Sequence, residues 1–397
     1  MKLRTVNMKQ YNERKYLIVD ERGLPIPRLC EFTLTHLYGA EKTQENNANH
    51  LIHIERWAAM LKVDLAEIVA GTGFADMSLF KSFVRHLEHH SYDINGARPL
   101  RPDIVSPDYF NQRLDLVLVY FQFLANKAIS SRRNTDPLFH QIPKMMERLK
   151  AELAKLKRPK TNQRNIFGLS LVQQATLYYA VEMPSLLGWN KYTQLRNKLI
   201  LRLLLETGIR KGELLSLTTS NCHTSKLAHG IYPFILTQQN VEHDDPRSRS
   251  PREKTVSRVI PISFPLASMI DEYKQARKSL GDSAMKSPYL LLATTQPYNP
   301  LSIAALDDIF SSIKNKILEL SDIHPHKLRH TFFENLDRML TRMGIEATQK
   351  KKLKNTVGGW KYNSNSSLIY EVGSIMEQCN LVLNQLHAEI ELHRKLS

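Results

Sequence analysis

His324-Pro-His326-Lys-Leu-Arg329-His330-Thr-Phe332 is the stretch that decides how this chain is read. Pro325 pre-sets the backbone of a first helical turn, so His326, Arg329 and His330 fall at i, i+3 and i+4 on one helix face. One face therefore carries an imidazole, a guanidinium and a second imidazole. Two histidines four apart form half of many zinc sites. Here they are separated by Lys327, Leu328 and Arg329 rather than by a carboxylate, and cations repel a metal ion. The face suits an anion, and no metal or other cofactor is expected.

Upstream lies Thr207-Gly-Ile-Arg210-Lys-Gly-Glu213-Leu, an arginine bracketed by Gly208 and Gly212 with a glutamate three residues on. On a helix, Arg and Glu at i, i+3 are commonly a surface pair worth a few tenths of a kcal/mol. The alternative is a guanidinium aimed into a cleft and oriented by Glu213. Downstream come Gly358-Gly-Trp360 and, after a polar turn, Leu368-Ile-Tyr370. Taken alone, such a Trp and Tyr read as core packing.

Around these clusters the chain has 397 residues, 55 Lys+Arg and 39 Asp+Glu, for a net charge of +16. That length supports two or three domains, and that charge favours a polyanionic partner, nucleic acid first. The charge is uneven. Residues 1–115 are neutral, whereas residues 116–160 hold ten basic against three acidic side chains. This run ends in residues 157–165, where Pro159 disfavours continued helix and an interdomain linker is expected. Its basic residues Arg132, Arg133, Lys155, Lys157, Arg158 and Lys160 are candidates for backbone phosphates; a solvated helix face is the competing reading. No apolar run approaches the length of a membrane span, and no secretory leader is evident. Cys30, Cys222 and Cys379 are too scattered for a metal site and too few for a disulfide framework, which fits buried thiols in the cytoplasm.

Hydrophobic periodicity gives a mainly α fold with a small antiparallel sheet after the linker. Tyr16–Val19 and residues 29–34 read as two short strands around a turn. Helices are expected near residues 49–70, 74–90, 108–129, 194–205, 302–320, 326–342 and 374–394. Residues 232–239 and 256–263 alternate as strands, joined by a polar loop carrying Arg247, Arg249, Arg252 and Lys254. The expected organisation is an N-terminal extension with short strands over 1–45, a helical core-binding domain over 46–156, a linker over 157–169 and a catalytic domain with a C-terminal helix over 170–397.

Arg210 with Glu213, the box His326-x-x-Arg329-His330, and Trp360 followed by Tyr370 together resemble the tyrosine recombinase (phage-type integrase) family, in the same chain order, over roughly residues 170–385. The resemblance implies a two-domain clamp on double-stranded DNA and strand cutting without a cofactor. It also implies a homo-oligomer on DNA, a tetramer in the synapse, with accessory DNA-bending or directionality factors and no membrane partner. In its terms Arg210 and Arg329 hold the non-bridging oxygens of a scissile phosphate, Trp360 and either His330 or His326 donate further hydrogen bonds, and Tyr370, with Tyr362 as the alternative nucleophile, attacks phosphorus with His326 as base. Lys254, at the position of the family's hairpin lysine, protonates the leaving 5′ oxygen, with Arg249 and Arg252 beside it on DNA. Trp360 stands where many members have His and keeps an N–H donor.

Two other classes are consistent with parts of this pattern. Type IB topoisomerases cleave with similar residues but reseal the same strand, and an inert DNA-binding partner would keep the fold alone. Covalent trapping followed by strand exchange separates all three.

Overall fold

The computed structural model describes residues 1–8, 13–39, 41–71, 73–74, 76–90, 104–159, 167–225, 233–237, 245–247, 257–361 and 364–370. The chain divides into two units, Met1–Gln163 and Arg164–Ser397, each built on its own apolar core.

The first unit opens with an antiparallel hairpin of β1 (Lys2–Met8) and β2 (Glu13–Val19), in register Leu3↔Ile18 and Thr5↔Tyr16. Among the described residues six helices follow: α1 (Pro27–His36), α2 (Glu41–Leu61), α3 (Leu65–Ala70), α4 (Met77–Leu87), α5 (Pro107–Ser130) and α6 (Pro137–Leu156). The strand expected over 29–34 is therefore a helix. Pro27 starts it at the first position, and Leu29, Phe32 and Thr33 bury one helical face. The partner of β2 is instead the segment at the chain's start. The single helix expected over 49–70 is two, because Lys62 adopts a left-handed φ of 57° and the Asp64 carboxylate accepts from the Ala66 amide at 2.8 Å to begin α3. The first 45 residues are no appendage, since Tyr16, Ile18, Leu29 and Phe32 share one core with Leu51, Trp57, Val117 and Phe121.

Helices α2 and α4 are joined through two buried histidines. Each of His53 and His86 donates through Nε2 to the other's backbone carbonyl at 2.9 Å, and their rings stack 4.0 Å apart. Burial first, then each other's charge or that of Arg113, lowers His53 to about 2 and His86 to about 4; burial and Arg113 lower nearby His50 to about 4. All three are neutral rings in the folded unit.

The second unit contains α7 (Leu171–Glu182), α8 (Pro184–Leu187), α9 (Lys191–Thr207), α10 (Lys211–Ser216), α11 (Phe264–Lys278), α12 (Asp282–Lys286), α13 (Ile303–Lys316), α14 (Pro325–Arg342) and α15 (Ala347–Gly358). Its sheet has the order β3 (Cys222–His223), β4 (Phe234–Thr237) and β5 (Arg258–Pro261), all antiparallel. Leu199, Ile200, Leu203 and Leu204 place α9 in the core, against Leu266, Ile270, Phe310 and Leu328. Helix α14 also catches the entering chain: the Gly168 amide donates to Glu334 at 2.8 Å and the Leu169 amide to Thr331 Oγ1 at 2.7 Å. Cys30 and Cys222 are buried free thiols. Cys379 and the helix expected over 374–394 lie outside the described residues.

A candidate phosphate-binding active site

Arg210 owes its position to the end of α9. Gly208 terminates that helix at φ 60°, and a Cβ there would lie 2.3 Å from Phe332 Cδ1. Ile209 is buried, and Arg210 becomes the cap residue of α10. Its amide donates to Glu213 Oε2 at 2.8 Å, and its Nη1 reaches Glu213 Oε1 at 3.3 Å and the Gly358 carbonyl at 3.0 Å. Glu213 is 1% exposed, so it is no surface partner.

Arg329 approaches from the second turn of α14. It donates through Nη1 to the Gly208 carbonyl and through Nη2 to the Gly358 carbonyl at 3.0 Å. Two guanidiniums thus converge on one main-chain oxygen. Arg329 is 1% exposed, and burial together with the charge of Arg210 lowers it to about 10, leaving it cationic near neutrality. Among the described residues it makes no ion pair with a carboxylate within 4 Å. The positive end of α14 adds to the potential.

Tyr370 ends a 3-10 turn, Leu368–Tyr370, and is 8% exposed. Its ring lies against His330 at 4.4 Å, Trp360 at 5.2 Å, Phe333 at 5.2 Å and His326 at 5.7 Å between centroids. The Arg329 guanidinium lies 5.4 Å from the centre of that ring. His326 Nε2 and His330 Nε2 are 3.2 Å apart, so one donates and the other accepts. Burial first, then neighbouring positive charges, lowers both; His330 falls to about 4, and His326, at the exposed rim, also falls below its ordinary 6.5. Both are neutral at pH 7.

Arg210, Glu213, His326, Arg329, His330, Trp360 and Tyr370 are thereby gathered into one cluster. Lys160, Arg249, Arg252, Lys254 and Tyr362 lie outside the described residues. Arg247, from the same loop as Lys254, turns inward: it pairs with Asp245 and donates to the Leu215 carbonyl at 2.9 Å. In the first unit Arg132 clasps helix ends, donating to the carbonyls of Ala128 and Ala70. Lys155 pairs with Glu152 at 2.7 Å, Lys157 with Asp115 at 2.6 Å, and Arg158 with Glu88 while covering the Phe110 ring; Arg133 is exposed. Among the described residues no group of three or more His, Cys, Asp or Glu is arranged to hold a metal.

One participant escaped the motif reading. Arg258 of β5 forks onto Glu213, Nη1 to Oε1 at 2.7 Å and Nη2 to Oε2 at 2.9 Å. Its signal was in the alternation, because Arg258 shares its phase with Ile260 and Ile262, which are core residues.

Residues 178–346 match the phage integrase family. That stretch is under half of the chain, and its similarity agrees with the tyrosine recombinase resemblance of the motifs. The match includes Arg210, Glu213, His326, Arg329 and His330 and ends before Trp360 and Tyr370, which pack against Arg329. No curated protein sequence matches. Similar solved structures include XerA recombinase, at 14% identity over 89% of this chain and 96% of that one with a TM-score of 0.36. They also include the Tn1549 transposon integrase in complex with transposon right end DNA (15%, 79% and 98%, 0.38) and XerH site-specific recombinase bound to palindromic difH substrate (15%, 82% and 92%, 0.39).

Proposed function

We propose that this protein is a site-specific recombinase that cuts and rejoins duplex DNA through a phosphotyrosyl intermediate, integrating or excising a mobile element. The observation that carries this reading is the convergence of Arg210 and Arg329 on the Gly358 oxygen, with the Tyr370 ring packed against Arg329. Glu213 is bonded by the guanidiniums of Arg210 and Arg258, and Arg329 adds a third positive charge that makes no carboxylate pair among the described residues. That surplus suits a phosphate that gains a second negative charge as it is attacked.

In the cleavage step the Tyr370 oxygen bonds to phosphorus and the bond from phosphorus to the 5′ oxygen breaks. The phenolic proton passes to His326, neutral at pH 7, and Lys254 gives a proton to the leaving oxygen. The product is a 3′-phosphotyrosine with a free 5′-hydroxyl. Attack by a 5′-hydroxyl of a second duplex reverses the chemistry with new strands joined, so no metal or nucleotide enters the balance. Four such exchanges within a tetramer recombine two duplexes. Arg133, Lys155, Lys157, Arg158 and Lys160, with Arg249 and Arg252, are proposed to meet backbone phosphates; the exposed ion pairs that hold some of them are worth only about 0–1 kcal/mol and exchange readily. Arg132, tied to two helix-end carbonyls, serves the fold instead.

The test uses a duplex nicked beside the scissile phosphate, its sequence obtained by selecting random duplexes that become covalently attached. The wild type should form a denaturation-resistant adduct and join strands between two duplexes. Tyr370→Phe should form no adduct while binding DNA as before. An adduct in that variant means that another residue attacks, and resealing without exchange means topoisomerase chemistry.

A further inference from the structure

Glu213 receives four hydrogen bonds from two arginines. Arg210 supplies its amide at 2.8 Å and a longer side-chain contact at 3.3 Å, whereas Arg258 supplies the two short parallel bonds of a guanidinium–carboxylate fork. The third arm of Arg258, Nε, donates to the Val357 carbonyl at 2.6 Å. That carbonyl immediately precedes the Gly358 oxygen on which Arg210 and Arg329 meet. Next in the chain, Gly359 sits at φ 68°, and a Cβ there would lie 2.6 Å from Arg258 Nη1. The space for Arg258 is therefore provided by the absence of a side chain.

We propose that Arg258 is a positioning residue for strand cleavage. It neutralises Glu213, so that the charge of Arg210 remains available to the substrate, and it fixes the end of α15, so that the Gly358 oxygen holds both substrate-facing guanidiniums at their separation. The physical reason is electrostatic. A carboxylate bonded to Arg210 alone would cancel its charge and repel the phosphate, whereas one already forked by Arg258 orients Arg210 without neutralising it. Arg258 itself touches no reacting atom. This role rests on the cleavage reaction proposed above.

The experiment measures single-turnover adduct formation on the nicked duplex carrying either a natural scissile phosphodiester or a methylphosphonate, which lacks the non-bridging charge. Arg258→Met and Arg258→Lys should slow the phosphodiester reaction about ten- to a hundredfold, a misalignment effect, with DNA affinity unchanged. On the methylphosphonate the gap to wild type should close to within about threefold, because no charge needs to be met. Gly359→Ala keeps every charge and displaces Arg258, and it should show the same pattern. This variant and Arg258→Lys carry the test if Arg258→Met unfolds. An equal gap on both substrates, or no gap on either, with an active wild type overturns the role of Arg258 alone. A wild type that forms no adduct on the phosphodiester overturns the cleavage reading and this role with it.

Discussion

Two like charges, on Arg210 and Arg329, lie 3.0 Å from one carbonyl oxygen, and each is aimed by main-chain features more than by side chains. Removing either should cost the transition state more than the complex. Arg210→Ala should slow adduct formation roughly a hundred- to a thousandfold, about 3–4 kcal/mol, with DNA affinity little changed in a gel-shift titration. Near-normal cleavage would remove Arg210 from the site. The histidine pair makes a prediction of its own. As the proposed base, His326 would have to be neutral to accept the phenolic proton, and burial and then Arg329 lower it below 6.5. The single-turnover rate should therefore hold level as pH falls from about 7.5 to the ordinary histidine value and decline only below it. An acid limb centred at or above 6.5 would exclude His326 as the base.

At the scale of elements, α14 and α15 carry the site between them and are locked by a buried pair, Lys354 Nζ to Asp337 at 2.6 Å, both side chains under one-tenth exposed. Asp337→Ala removes the carboxylate from a buried ammonium and should destabilise the fold by about 3–5 kcal/mol in urea unfolding. Combining Lys354→Met with Asp337→Leu should recover most of that loss. A small effect of the single change would mean that water reaches the pair. The same elements show why some of the fold was legible and some was not. Pro325 and the spacing of His326, Arg329 and His330 announce α14, because helix initiation and period are local properties. The break between α2 and α3 rests on a left-handed Lys62, a residue with no turn preference, and its local mark is confined to Asp64, the cap of α3. Residues 29–34 were ambiguous in the same way: six mixed residues fit either period, and the docking of Leu29 and Phe32 into the core settled the matter. Arg258 was readable in the alternation of β5. Its partner could not be read, because it lies 45 residues away in sequence.

For the whole molecule, acid acts on the core of the first unit through its buried histidines. The first unit holds His50, His53 and His86 as neutral rings, at about 4, 2 and 4, against 6.5 in the unfolded chain. Lowered values mean that the unfolded chain binds more protons below 6.5. The stability these rings allow is complete above that pH and is lost as pH falls towards 4. The thermal midpoint of this unit should drop across that window, and His53→Leu with His86→Leu should flatten the drop. A midpoint independent of pH between 4 and 6.5 would show that the rings are hydrated. The neutral charge of residues 1–115 is consistent with a unit whose ionisable groups serve its own packing, as Glu55, Arg28 and Tyr120 do when they bond one another inside it. No helix among the described residues is long and apolar enough to cross a membrane.

The acceptor shared by the two guanidiniums belongs to the peptide backbone at Gly358. Replacing amino acids one at a time leaves it in place, and a Cβ at 358 would itself meet Trp360 at 2.3 Å, so a mutational survey of this protein could not isolate the anchor the arginines share. Only chemistry that alters the linkage itself, such as an ester in place of the amide joining 358 to 359, weakens that oxygen while sparing every side chain.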